Sequence, residues 1–384
     1  MLTNQMFKAV GRVLAVAFLW AAMTAGFAAP HDEWHLFPIK NGELVGFIDV
    51  NGTVIIPPQY KEVFRFSEGL APARAADSGK WGYIDQTGSF VIPPQYKEAR
   101  LFSDGLAQVK FEPAGGGYID YSGRVVFQGD GGYVRNGMVA LRTKEKTIFA
   151  DKSGVTLFEV MGAAWQVGGG LIAFIENEQM GFMNRDGRIV IQPAYHRVVF
   201  WGDEQFAEQI TPVSIGPREK PLYGFIDRTG KVVVDFQFEW AGQFSGGLAA
   251  VVKEGKFGYV NTAGEVVIVP QFIGAFPFSE GLAAVKTGDN RWGFIDTQGR
   301  MVIAPQYLLR LGGFPMVFSE GLAAVRTEAG MGFINRDGEM VVPAVYKGVR
   351  DFSGGLAQVW FFDGTSAYIN REGVVVWPRA IILP

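Results

Sequence analysis

Carboxylates and hydroxyls recur along this chain at fixed offsets, and they are the first candidates for chemistry. An Asp or Asn followed three residues later by Gly appears at Asp49, Asp85, Asp120, Asp151, Asn184, Asp227, Asn261, Asp296, Asn335 and Asn370. Such a series invites calcium, but each turn offers one side-chain oxygen, Asn replaces Asp freely, and the dense alternating carboxylates of a calcium loop are missing. A serine ahead of Glu-Gly, or of a close variant, recurs at Ser67, Ser103, Ser245, Ser279, Ser319 and Ser353. A nucleophilic serine needs a base and a group to orient that base, and no unique Ser-His-Asp set or carboxylate pair stands out of the repeat. His31, His35 and His196 make no metal-ligand spacing. Cysteine is absent, which excludes thiolate metal sites and disulfides. These residues point to a protein that is not an enzyme, with no catalytic residues, metal or cofactor.

The elements that carry these residues are themselves periodic. A glycine precedes an aromatic-apolar-Asp/Asn segment at Gly46, Gly82, Gly117, Gly181, Gly224, Gly258, Gly293 and Gly332; Ile148 and Ala367 take its place in two further copies. The glycine, the Asp/Asn-x-x-Gly turn and the Ser-Glu-Gly-Leu-Ala run keep step over ten units of about 35 residues. In residues 281–307 the apolar run from Leu282 to Lys286, the run from Trp292 to Asp296 and the run from Met301 to Ile303 are separated by turn residues, which predicts a three-stranded meander. We call its strands a, b and c, with c expected to stop at Pro305 because proline cannot donate to a ladder.

A unit of this size cannot bury enough apolar surface to offset its own ordering entropy, so its apolar faces must meet neighbouring units. The array begins and ends on whole meanders, with no unit split between the termini. Ten units also exceed the roughly four to eight blades usual for a ring. The expected fold is therefore all-β, an array of about ten three-stranded β-meander repeats forming an open twisted β-solenoid. A closed or partly closed β-propeller is the alternative.

Lys80-Trp81-Gly82-Tyr83-Ile84-Asp85, the Val91-Ile92-Pro93-Pro94-Gln95-Tyr96 run and Ser279-Glu280-Gly281-Leu282-Ala283 together resemble the bacterial WG-repeat family, also called KWG repeats. The resemblance covers about residues 36–377. It departs at Gly115-Gly116-Gly117 and Ile148, and in the fifth unit, where no Ser-Glu-Gly-Leu-Ala is legible. It implies a β-rich repeat scaffold with a binding or structural role, and it brings no catalytic residues.

Residues 1–28 read as a secretory signal peptide: Lys8 and Arg12 precede an apolar stretch, and Gly26-Phe27-Ala28 supplies small residues for cleavage. Residues 29–384 are then the repeat array, destined for the periplasm or the medium. Removing the leader leaves 33 Lys and Arg against 38 Asp and Glu. That mixed, slightly acidic surface argues against nucleic acid, whose backbone rewards a basic stripe.

Residues outside the repeat pattern are the candidate contacts. Trp165, Trp201 and Trp240 depart from the strand b slot of Trp81 and Trp292 and fall near the connection from c to the next a. Such tryptophans suit a partner pocket or a sugar ring. Residues 212–221, which include Arg218, read as an insertion in a surface loop, removable without loss of fold. The expected function is an exported non-catalytic scaffold that binds another protein at the cell envelope. The alternatives are a cell-wall or polysaccharide binding module, and an enzyme with its site at the mouth of a propeller.

Overall fold

The computed structural model describes residues 35–113, 115–129, 132–196, 209–217, 219–310 and 316–378. The leader read in residues 1–28 lies outside them. Eight of the ten units are built around a glycine that the chain must cross. In unit two, strand b (Trp81–Ile84) pairs with strand c (Phe90–Tyr96) in a register that jumps, Tyr83 facing Ile92 and Trp81 facing Tyr96. The surplus residues, Pro93 among them, form a bulge over Gly82. A Cβ at Gly82 would lie 2.5 Å from the Ile92 carbonyl oxygen and 2.8 Å from the Pro94 nitrogen. Only glycine lets the chain pass there. The expected stop at proline is thus corrected: the same bulge carries strand c of unit eight through Pro305 to Tyr307.

The three-stranded unit is also corrected. A further strand precedes a in most sheets, as Glu98–Ser103 precedes Leu106–Lys110, and it pairs with a through the Ser-Glu-Gly turn. Its sequence carries bulky residues around a register shift, which hides the alternation that marks a strand. Strand c alternates between exposed and buried residues, whereas a and b are almost wholly buried. Strand c therefore forms the outer rim, and the preceding strand forms the inner one.

The ten meanders make nine hydrogen-bonded sheets, because Val54–Val63 runs on from unit one into unit two and joins them in one six-stranded sheet. Side chains rather than ladders join the others. Phe294, Ile303 and Tyr307 of unit eight pack with Phe318, Ala323 and Val325 of unit nine, and every neighbouring pair has its own such cluster.

One more cluster joins the two ends of the chain. Ile39 and Ile48 of unit one bury against Leu356 and Tyr368 of unit ten, flanked by Phe37, Val376 and Trp377. The Tyr368 hydroxyl donates to the Pro38 carbonyl at 3.0 Å, and the rings of Phe37 and Tyr368 lie 5.5 Å apart. An open array has one junction fewer than it has units. The open solenoid is therefore corrected to a nine-sheet β-propeller. Whole terminal units did not prevent closure, because the ring is sealed by packed side chains and, among the described residues, exchanges no strand across the seam.

The segment read as an insertion is corrected too. Ile210–Ile215 is strand a of unit six, pairing with Leu222–Asp227, and Thr211, Val213 and Ser214 are buried. Deleting residues 212–221 would remove a blade strand. Among the described residues no helix is long and apolar enough to cross a membrane.

The turn glycines are tightly placed. Gly88 has φ +84° and faces unit one, where its added Cβ would lie 2.7 Å from Ile56 Cγ2; Gly299 has φ +78° and faces Ile268. Gly88→Val and Gly299→Val should each lower stability by about 1–3 kcal/mol through strain and this contact, read as a fall in thermal midpoint. An unchanged melting curve would contradict the turn geometry.

Candidate functional site

Successive turns of an antiparallel meander fall at opposite ends, so the ring has two unlike faces. The Ser-Glu-Gly and Asp/Asn-x-x-Gly turns share one of them, the turn face. The a-to-b turns and the passages from c to the next inner strand share the other, the crossover face.

On the turn face the repeated polar residues are spent on the fold. Ser67 Oγ donates to Phe102 O of the next unit at 2.8 Å, and Ser103 to Val134 O at 3.1 Å. Ser245, Ser279 and Ser319 repeat the bond to Phe278, Phe318 and Phe352 at 2.7, 2.6 and 2.8 Å. These bonds link neighbouring inner strands around the ring. The acid beside the serine adds a clasp: Glu68 accepts the amides of Asp104 and Gly105 at 2.8 and 3.0 Å, and Glu320 accepts that of Gly355 at 2.9 Å. Glu68 and Glu320 hold φ of 53° and 54°, a conformation costly for a residue with a Cβ and balanced here by charge-assisted bonds.

The turn aspartates are engaged within their own turns. Asp85 Oδ1 accepts the Thr87 and Ser89 amides at 2.9 and 3.0 Å, and Asn184 Oδ1 accepts those of Asp186 and Arg188 at 3.0 and 2.9 Å. One oxygen suffices, which explains why Asn and Asp interchange. Among the described residues no three His, Asp or Glu side chains converge as metal ligands.

Of the expected contact residues, two are described. Trp165 lies half-buried on the inner strand Ala164–Gln166 against the cluster shared by units five and six. Trp240 begins the inner strand Trp240–Ser245, is 40% exposed, and has its ring 5.9 Å from that of Phe257. They stand two units apart, each packed on its own surroundings. Trp201 and Arg218 lie outside the described residues.

A feature missed in the sequence is an open groove of about 600 Å³ on the turn face, lined by Asp104, Asp120, Tyr121, Arg124, Lys152 and Ser153 among others. Tyr121 lies 4.8 Å from the Phe102 ring, nearly parallel, and its hydroxyl donates to Glu68 at 2.8 Å. Burial and the Glu68 bond raise its pKa. Lys152 Nζ donates to the Asp104 carbonyl at 2.9 Å. Tyr121 and Lys152 each follow the turn Asp, the position from which side chains reach the preceding unit; that register was the available signal.

The sequence pattern of WG-containing repeats matches at residues 46–75, 81–112, 180–208, 223–257, 257–290, 292–307 and 331–359, together more than half of the chain. The chain belongs to the WG-containing repeat family. In WG-repeat terms, the naming glycine is the strand b residue over which the strand c bulge of the same sheet passes. The comparison with curated proteins finds no match. Among solved structures, the crystal structure of a eukaryotic initiation factor is similar over 90% of this chain and 95% of its own, with a TM-score of 0.52 and 9% identity. BamB from Moraxella catarrhalis aligns over 81% of this chain and 96% of its own, with a TM-score of 0.38 and 15% identity. At these identities the first likeness concerns the fold alone.

The turn carboxylates give the WG-repeat ring a pH dependence. For Asp85 and Asp120 burial pushes the pKa up, but bonds from Thr87 or Ser122 and the turn amides outweigh it, leaving both below the usual carboxylate range. For Asp227 the Thr229 hydroxyl leads in the same direction. A depressed folded-state pKa contributes stability above the unfolded value that is lost as pH falls through the folded one. The double variant Asp85→Asn/Asp120→Asn should therefore melt near the parent at neutral pH and lose less on acidification to about pH 3. A large loss at neutral pH would show that the charge itself holds these turns.

Proposed function

We propose that this WG-repeat propeller is an exported, non-catalytic scaffold that docks another protein at the cell envelope. The observation that carries this reading is the fate of the recurrent polar residues. Ser67 and Glu68 and their counterparts bond to the neighbouring unit, and Asp85 and its counterparts bond to their own turn amides. Groups so engaged are poor candidates for nucleophile or general base, which must be within reach of a substrate. The residues that vary from unit to unit remain for recognition, on a rigid ring that holds them in fixed relation. Export to the periplasm or the medium is read from the leader-like features of residues 1–28, which support it.

A glycan reading would draw on exposed aromatics such as Trp240 and Tyr121. Stacking sites for a polymer gain from multivalency, yet these two occupy different positions in their units. Protein is the favoured partner.

Incubation of the purified chain with isolated cell wall, followed by pelleting, should recover equal amounts with and without wall. Crosslinking in intact cells should yield a discrete adduct with another protein. Wall-dependent pelleting that disappears in Trp240→Ala would replace this proposal with the glycan reading.

A further inference from the structure

Closing the ring sets three segments from opposite ends of the chain along one stretch of it, on units ten, two and three, with unit one between the first two. The passages into the inner strands of units two, three and ten read Lys61-Glu62-Val63-Phe64-Arg65, Lys97-Glu98-Ala99-Arg100 and Lys347-Gly348-Val349-Arg350. Along the chain, Arg100 and Lys347 are far apart. Around the ring, unit ten adjoins unit one through the seam cluster, and units two and three follow. The corresponding passages of units seven and eight, which begin Glu239-Trp240-Ala241-Gly242 and Ile273-Gly274-Ala275-Phe276, carry no cation.

The charge on this arc is only partly offset. Each acid within the three segments and their inner strands is bonded to a cation outside them: Glu62 to Arg74 at 3.1 Å, Glu98 to Lys110 at 3.1 Å, and Asp351 to Arg310 at 2.7 Å. Lys61, Arg65, Lys97, Arg100, Lys347 and Arg350 are all exposed, and none makes an ion pair among the described residues. Asp77 is the acidic neighbour of Lys61. Such a patch departs from a chain whose net charge is −3.

The arc is rigid and partly aromatic. The Tyr83 hydroxyl of unit two donates to the Arg100 carbonyl at 2.8 Å, fixing the backbone that presents this arginine. Phe64 is 43% exposed and stacks on Trp81 at 5.2 Å, and the Arg350 guanidinium lies 5.7 Å from the Trp360 ring centroid. Guanidinium groups match carboxylates with paired hydrogen bonds, and apolar rings between them reward apolar side chains.

We propose that this arc, on the crossover face and astride the ring seam, binds an acidic peptide segment with interspersed apolar residues, belonging to a partner protein. The inference rests on the protein-docking reading and specifies its site. Carboxylates pair with Arg65, Arg100 and Arg350, the lysines steer the approach, and Phe64 takes an apolar side chain.

The test is fluorescence anisotropy of the full chain with a labelled peptide of alternating Glu and Leu, beside a uronic-acid oligosaccharide of equal charge. The peptide should bind saturably and more weakly as salt rises. Its affinity should fall about tenfold or more in Arg65→Gln/Arg100→Gln/Arg350→Gln and stay unchanged in Lys253→Gln/Lys256→Gln on unit seven. Matching thermal midpoints of both variants with the parent exclude misfolding. Absence of saturable peptide binding, equal losses in the two variants, or tighter binding of the oligosaccharide would each overturn the proposal. If the peptide fails while crosslinking still captures a partner protein, the arc is wrong and the docking reading stands.

Discussion

A meander of about 35 residues encloses nothing, so what holds this protein together is burial shared between neighbouring units. Phe225, Tyr259, Phe294 and Phe333 are fully buried, each in a cluster completed by the adjoining unit. Once every unit needs a neighbour on both sides, the two end units are the problem. Repeat proteins that stay open cover their ends with polar capping units. Here unit one and unit ten cover each other, through Ile39, Ile48, Leu356 and Tyr368.

The seam is the ordinary junction with changes where the ordinary one cannot be made. At several other junctions the Glu of a Ser-Glu-Gly turn, as Glu68, Glu280 and Glu320, clasps the next unit. At the seam Gly354 stands in place of that Glu, as Gly246 does in unit seven, and the His35 ring lies against the spot a Cβ would occupy. Gly52 still packs on Val376, as Gly88 does on Ile56, so the turn contact repeats across the closure. Burial raises the Tyr368 pKa to about 12, and its hydroxyl makes the one hydrogen bond to Pro38 described above. The seam is thus held by few residues, and they set the cationic segments of unit ten and of units two and three on one side of the ring.

Much of this was legible in the sequence. The period, the all-β class, the turn residues and the unit count follow from Gly82, Asp85, Gly88 and their copies, because each meets a local demand that its type reveals. The inner strand was not legible, since in Glu98–Ser103 the bulge breaks alternation. Strand a of unit six was missed because Pro212 and Pro217 imitate a loop, although Pro212 occupies a ladder position opposite Phe225. Closure was missed for a deeper reason: it depends on the curvature accumulated over all units, while Ile39 and Leu356 read like any other core residue. The cationic arc was invisible for the same reason, as the segment of unit ten joins those of units two and three on one side of the ring only through closure. Trp165 and Trp240 stood out by position but share no common site.

Closure is most directly measured by the distance between the ends. The chain has no cysteine, so Lys40→Cys and Ser366→Cys, both at exposed positions, give a unique pair for spin labels. Pulsed dipolar spectroscopy should return a single narrow, short distance that survives dilution. A long or broad distribution would mean that the end units do not meet, and the propeller described here would be wrong.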